Sequence, residues 1–441
     1  DFLFGTVLIG AVASLALQIY QVIDLDFLGK WVQRPLNPRF YANVAQPNLL
    51  ATLLLLGLLG LGWFHHRHKL PGWLAAPAAV SLVLGLALTA SRTAWLGFVL
   101  IGIGMLLYRR FDYLRRLLPW FLGLGLLYLV LASVLPAVLE WTPWRGQAAH
   151  RALLDQSRLR LWNLFYHALA ERPWFGYGWG QVGHAQFDAP LERMYPGVNA
   201  NHAHNLLLDL ILQNGWIIGS ILILVLVWWG VRALLSVRRP ADVLALMFVA
   251  VVFNHGMLEF PLEYGYFLWP TGLMMGVINE RLGFPVMARL PKWILGGMLA
   301  AAFALWYLTT RHYLVVESNY YKRSLELSGF SGMYDAGSLN RTNVISQWVD
   351  FIDLTYVQPA DAHSPEDIVR ALRVMKSTPS ALAALKIAQM HAFAGEADQA
   401  AYWLRVLCRM NSQSACASMK ASWRADATRW EQLKSIPWPD D

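Results

Sequence analysis

Nine stretches of the chain are nearly unbroken runs of apolar residues: 2–20, 47–64, 71–90, 94–108, 117–137, 206–230, 241–257, 266–279 and 293–310. Crossing the ~30 Å hydrocarbon layer of a bilayer takes about 20 such residues in an α-helix. Lipid offers no partner to backbone N–H and C=O groups, so each run is expected to be helical. Composition agrees, since 56% of the 441 residues are hydrophobic and only 15% charged, against roughly 25% charged in a soluble domain. The 21 Trp and 17 Tyr suit aromatic belts at many membrane–water boundaries. The expected fold class is therefore all-α, a polytopic integral membrane protein.

The net charge of +8 is read first as a topology signal and implies no nucleic-acid partner. Arg67 and Lys69 follow the second run, and Arg109, Arg110, Arg115 and Arg116 the fourth. Arg232, Arg238 and Arg239 follow the sixth, and Arg281, Arg289 and Lys292 the eighth. With strictly alternating spans all of these share one side, which the positive-inside rule makes cytoplasmic. The tract His65-His66-Arg67-His68-Lys69 falls there and is read as part of the same signal rather than as a metal site. The opposite face then receives 21–46, the turn Ser91–Thr93, the large loop 138–205, the loop 258–265 and everything after 311. No signal peptide is visible, and the chain enters an apolar run directly after Asp1, so further spans are expected upstream.

Two domains are expected: a membrane part, 1–310, and a helical C-terminal region, 311–441. Within the latter, Ala381–Ala394, Glu396–Met410 and Ala417–Leu433 read as amphipathic helices. Small residues at packing positions and Gly395 at the turn suggest a helical hairpin of the tetratricopeptide kind. Such a hairpin either binds a partner protein or simply caps the membrane part. Cys408 and Cys416 are too few for a disulfide framework, although a bridge between adjacent helices is open to them on this face.

The non-cytoplasmic face carries cations that the positive-inside rule disfavours. Lys30, Arg34 and Arg39 precede Gln46-Pro47-Asn48, Arg92 sits in a short turn, and six arginines lie in 138–205. A diphosphate substrate offsets them, because the planar guanidinium matches phosphate oxygens; headgroup binding and ordinary solvation remain the simpler reading for Lys30 and Arg39. The segment Ala148–Arg172 reads as a helix with Arg151, Asp155, Arg158 and Trp162 along one face. Asp155 is placed to orient an arginine, and Trp162 to stack beside Arg158. Gly176-Tyr177-Gly178-Trp179-Gly180 permits tight turns and close approach to a ligand, but lacks the strand–turn–helix context of a dinucleotide fingerprint.

His204, in Asn201-His202-Ala203-His204-Asn205, falls at the start of the sixth run. An imidazole titrates near pH 6.5 and can take a proton from an acceptor hydroxyl. His202 and His204 lack a third metal ligand at suitable spacing, so neither metal nor cofactor is expected. Glu259 and Glu263 flank Pro261, which breaks any helix between them. A carboxylate at a membrane boundary is a functional candidate, with orientation of an arginine or histidine as its expected task.

Gln46-Pro47-Asn48-Leu49-Leu50-Ala51, Ser91-Arg92-Thr93, Ser157-Arg158 with Trp162, Pro173 with the Gly176–Gly180 turn, and His204-Asn205 with Gly215 resemble the O-antigen ligase superfamily. The stretch His255–Leu268 looks like its PglL-type protein O-oligosaccharyltransferases. The resemblance covers roughly 20–280 and, more loosely, the tail, and the nine spans fall short of the family's usual twelve or so. It implies transfer of a preassembled glycan from undecaprenyl diphosphate to Ser or Thr of a periplasmic, pilin-like acceptor, without a metal and with inversion. The site would face the periplasm of the bacterial inner membrane. On that resemblance His204 is base or acceptor-orienting group, and Arg92 and Arg158 neutralise the departing diphosphate. Arg34, Gln46, Asn48, Arg151, Trp162, Asn205 and Glu259 are the expected substrate-binding set. Within the family, an O-antigen ligase or a polymerase with a glycan or lipid A-core acceptor is the alternative. The Glu259–Tyr264 stretch and the helical tail favour a protein acceptor. A lipid-linked glycan flippase is a different class, but it would carry charge deep in its spans, whereas the cations here collect at one face.

Overall fold

The computed structural model describes residues 1–35, 39–144, 157–188, 200–286, 289–332, 334–339, 344–359, 361 and 364–439, apart from the side chains of Lys30 and Ser157. All nine apolar runs are helices: α1 (Phe2–Val22), α2 (Pro47–His66), α3 (Gly72–Leu88), α4 (Arg92–Leu107), α5 (Asp112–Leu139), α8 (Leu206–Leu235), α9 (Pro240–Gly256), α10 (Gly265–Arg281) and α11 (Lys292–Leu327). Between α5 and α8 lie α6 (Ser157–Glu171) and α7 (Val182–Asp188). After α11 come α12 (Ser346–Tyr356), α13 (Pro365–Ser377), α14 (Ala381–Phe393), α15 (Ala397–Met410), α16 (Gln413–Ala427) and α17 (Glu431–Lys434). No strand occurs among the described residues. Among the described residues five helices, α1, α2, α5, α8 and α11, are long and apolar enough to cross a membrane, which makes this an all-α, multi-pass membrane protein.

The lengths correct several sequence expectations. Helices α3, α4, α9 and α10 have 16 or 17 residues, short of the ~20 of a straight span. Helix α3 stops at Leu88 because Ala90 takes a left-handed φ of 47°. Arg92 then starts α4 rather than lying in a turn. Helix α11 does not end at 310 but continues to Leu327, and Ser346–Tyr356 forms a helix the periodicity did not suggest. The expected Ala417–Leu433 helix is instead two, α16 and α17, parted at Thr428–Trp430. Of the expected Ala148–Arg172 helix, Ser157–Glu171 is helical and 148–156 lie outside the described residues.

By contacts the chain forms two compact units. The first comprises 1–155, 204–207 and 221–285. Its core is α2, where Leu50, Leu54, Leu55 and Leu56 are buried on every side. Gly57 and Gly60 let α1 approach closely: a Cβ on Gly60 would sit 2.9 Å from the Phe4 carbonyl. Close backbone approach through small residues is how helices associate in lipid, where hydrophobic transfer no longer drives them together.

The second unit comprises 156–203, 208–220 and 286–441. Its helical hairpin α14–α15 packs Leu385, Ile387, Ala388, Leu404 and Leu407 into one core. Ser364, Ser380 and Ser412 cap α13, α14 and α16 by accepting backbone N–H groups. A disulfide joins Cys408 of α15 to Cys416 of α16. Elsewhere in this unit α8 is broken at Gly215, whose φ of 71° and ψ of 177° leave the helical region. The freed groups are taken up by the segment before α7: Tyr177 and Gly178 N–H donate to the Leu212 and Gln213 carbonyls, and Trp216 N–H donates to that of Pro173.

Replacing Cys408 by Ser should loosen α15–α16 by about 2.5 kcal/mol, the loop entropy of a bridge closing eight residues or so. Amide hydrogen exchange on the full chain should show faster opening confined to 397–427. Unchanged protection there would contradict this.

Candidate functional site

In the first unit four helix ends meet around one buried carboxylate. Glu259 follows the C-terminus of α9 and is 5% exposed. A 3₁₀ turn at Pro261–Glu263 follows it, so the proline separates an inward Glu259 from an exposed Glu263. Glu259 Oε2 lies 2.7 Å from His204 Nδ1, and its Oε1 accepts from Asn48 Nδ2 at 3.1 Å. Asn48 stands in the first turn of α2, after Gln46 at the N-cap position and Pro47. Its Oδ1 accepts from Ser91 Oγ at 2.7 Å and, at 3.4 Å, from Arg39 Nη2. Ser91 in turn precedes α4, and its carbonyl accepts from the Tyr128 hydroxyl.

An ionised carboxylate has no proton to give, so Nδ1 of His204 carries the hydrogen of this pair and the basic lone pair falls on Nε2. The His204 side chain is 28% exposed against 6% for Glu259, so the imidazole can meet a solute while its partner cannot. Its backbone has φ 52°, a left-handed conformation that costs about 1 kcal/mol or more for a residue with a Cβ. Immediately after it, Asn205 Oδ1 accepts from Leu207 N–H and so caps α8. The Phe260 ring stands edge-on to His204 at 5.0 Å and stacks on Tyr264. Burial and then the Glu259 charge push the Tyr264 phenol above its ordinary pKa, so it stays a donor rather than a second base.

Of the residues expected to act, the structure thus brings His204, Glu259 and Asn48 together. Arg92 is the first residue of α4, next to Ser91, and is exposed. Arg34 is paired instead with Asp26 at 2.8 Å on the surface, an exposed pair of little energetic weight. Gln46 makes no side-chain cap. In the second unit Arg158 lies in the first turn of α6, half-buried. Trp162 donates its Nε1 hydrogen to the Ala203 carbonyl at 2.8 Å. Arg151 and Asp155 lie outside the described residues.

Three contributors were missed. Ser91 was read only as part of a turn, and Arg39 was set aside as solvated. Asp209 lies inside a run taken as nearly free of charge; it is 8% exposed, and its carboxylate accepts the Ala203 N–H at 2.8 Å. Its signal was visible as the one acid in the apolar opening of α8.

The fold and this imidazole–carboxylate pair define a multi-pass helical membrane protein whose buried polar groups gather at helix ends. Family models place it further. Residues 77–224 match the O-antigen ligase family, 243–425 the C-terminal part of virulence factor membrane-bound polymerases, and 41–65 the protein glycosylation ligases. The chain belongs to the O-antigen ligase family. It is 32% identical over 317 residues to a general O-oligosaccharyltransferase of Acinetobacter baylyi, covering 68% of this chain and 56% of that protein. It is 29% identical over 249 residues to a ComP-specific O-oligosaccharyltransferase of the same organism, covering 56% and 45%. The chain therefore spans about half the length of the curated relatives it matches.

Substituting Asn48 by Leu removes a hydrogen-bond donor from a buried carboxylate and an acceptor from Ser91. Thermal unfolding in detergent should show a loss of about 2 kcal/mol, whereas Asn48→Gln should recover part of it. An unperturbed transition in Asn48→Leu would mean that the buried network carries no stability.

Proposed function

We propose that this protein transfers a preassembled oligosaccharide from a polyprenyl diphosphate, undecaprenyl diphosphate in the family it belongs to, onto Ser or Thr hydroxyls of periplasmic proteins such as pilins. The observation that carries the reading is the 2.7 Å pair between His204 Nδ1 and buried Glu259. It commits Nδ1 and leaves Nε2 as the base, the same division of labour that a carboxylate imposes on histidine in acyl-transfer triads. In the proposed step Nε2 takes the proton of the acceptor hydroxyl as its oxygen bonds to the anomeric carbon. The bond from that carbon to the diphosphate oxygen breaks, and the polyprenyl diphosphate leaves as an anion. One in-line displacement inverts the sugar carbon. His204 is the catalytic residue and Glu259 a positioning residue, with Asn48 and Ser91 behind it.

Arg92 and Arg158 take the family's role of neutralising the leaving diphosphate. Arg92 stands in the first turn of α4, where free N–H groups add to the positive field, and Arg158 is carried by α6. Arg151, Trp162, Asn205, Gln46 and Arg34 complete the proposed substrate-binding set. In this reading the helix ends bearing Asn48, Ser91, His204 and Glu259 face the periplasm of an inner membrane, together with 138–205 and the region after 311. The protein acceptor is favoured over a lipid A-core or glycan acceptor by the names of both relatives and by the protein glycosylation ligase match at 41–65.

The test is glycan transfer from an undecaprenyl-diphosphate glycan to a pilin-type acceptor by the purified chain in lipid, with and without EDTA. His204→Ala should lower kcat by roughly 10²-fold or more, the usual worth of a general base. Glu259→Gln should lower kcat on the order of 10-fold to 10²-fold with little change in KM, and should shift the pH–rate profile. Arg92→Lys and Arg158→Lys should stay impaired, because a point charge does not replace the guanidinium fork. EDTA should have no effect. Full activity in His204→Ala would overturn the mechanism, and transfer to a lipid A-core glycan but to no protein would overturn the acceptor.

A further inference from the structure

Helix α8 is longer than a span needs. Its 30 residues fall into two parts at the Gly215 break. The first part, Leu206–Asn214, holds the buried polar residues Asp209, Gln213 and Asn214. The second, 216–235, is 20 residues long and carries no charge before Arg232. At 1.5 Å per residue those 20 residues rise about 30 Å, the thickness of the hydrocarbon layer. The part after the break is thus long enough by itself to cross that layer, and it opens on Trp216, 42% exposed.

The segment Pro173–Gly180 is fastened at this break. Three of its backbone hydrogen bonds go to Leu212, Gln213 and Trp216, directly on either side of the break. The fastening is close enough to exclude side chains at both crossing glycines. A Cβ on Gly215 would meet the Trp174 carbonyl, and one on Gly176 would meet that of Leu212. Both glycines also have positive φ, 71° and 66°. Held there, Trp174, Phe175 and Trp179 are 63%, 80% and 69% exposed, although large aromatic residues are costly to leave in water. Trp216, Ile217 and Ile218, the first three residues of α8 after the break, are likewise 42%, 53% and 46% exposed.

We propose that Pro173–Gly180 is a membrane-interface anchor, with Trp174, Phe175 and Trp179 seated among phospholipid headgroups beside the entry point of α8. Aromatic rings concentrate at this level because their apolar faces leave water while their polar edges stay wet. The anchor fixes the height of α6, which runs into it at Glu171, relative to the bilayer surface. It does not depend on which reaction the protein performs.

The two cysteines are both held in the disulfide, so a single added cysteine is a clean reporter site. Nitroxide labels at Trp174→Cys, Phe175→Cys and Trp179→Cys are read in phosphatidylcholine–phosphatidylglycerol nanodiscs by collision with oxygen against a water-soluble nickel chelate. Leu224→Cys, at an exposed mid-span position of α8, gives the lipid reference, and Val369→Cys of α13 the water reference. The oxygen-to-nickel ratio at 174 and 175 should be several-fold above that at 369 and on the way to that at 224. Each labelled variant is checked for an unchanged elution profile and an intact disulfide. Water-like ratios at 174 and 175 overturn the anchor, as does protection that arises only when a glycan or an acceptor protein is added. Such a result leaves the proposed transfer reaction untouched, because that is tested at His204.

Discussion

A carboxylate group buried at the end of a bundle of apolar helices is an expensive object. Taking it out of water costs several kcal/mol unless its oxygens are satisfied. Glu259 is satisfied by an imidazole on one oxygen and an amide on the other. Those two partners come from the start of α2 and the residues before α8, and the amide is itself steadied by Ser91 ahead of α4. One side chain thus draws together segments more than two hundred residues apart. Removing any one of them leaves a charge or an amide stranded, so the ends of these helices hold their places as a set.

Position in the helices explains why this pairing sits where it does. Helix ends expose backbone groups that need partners, and lipid cannot supply them. Polar residues therefore gather at the ends while the lengths between stay apolar. At the opposite ends of the same unit a second pairing does similar work: Arg281 meets the Asp242 carboxylate, which also accepts the N–H groups of Arg238 and Arg239 at the start of α9. That second cluster satisfies its carboxylate completely with cations and backbone. The first pairs its carboxylate with an imidazole and an amide instead.

The helices were legible in the sequence because a membrane allows so little else. Length and hydropathy located every one of the nine runs, and they failed chiefly at boundaries, where local backbone geometry decides. Ala90 cut α3 short, and nothing in the apolar pattern announced a left-handed alanine. Partnerships were harder to read. Glu259 could be assigned an orienting task from its place at a boundary, but Asn48 could not be seen to share that carboxylate, since no local spacing relates them. Asp209 was hidden by its apolar surroundings, although a lone acid there needed a partner and found the Ala203 N–H.

The left-handed backbone of His204 gives the remaining step. A non-glycine residue persists in that region only when its surroundings over-determine it. Ala203, one residue before, has its carbonyl held by Trp162 and its N–H held by Asp209. Asn205, one residue after, closes the first turn of α8 on Leu207. The ring itself is held by Glu259. With both neighbours and the side chain fixed, the chain has no cheaper path through this position, and the strain is retained at a histidine whose side chain is 28% exposed. In the proposed reaction, a base that must meet an incoming hydroxyl gains from such rigidity, because an imidazole already in place loses little freedom in the transition state.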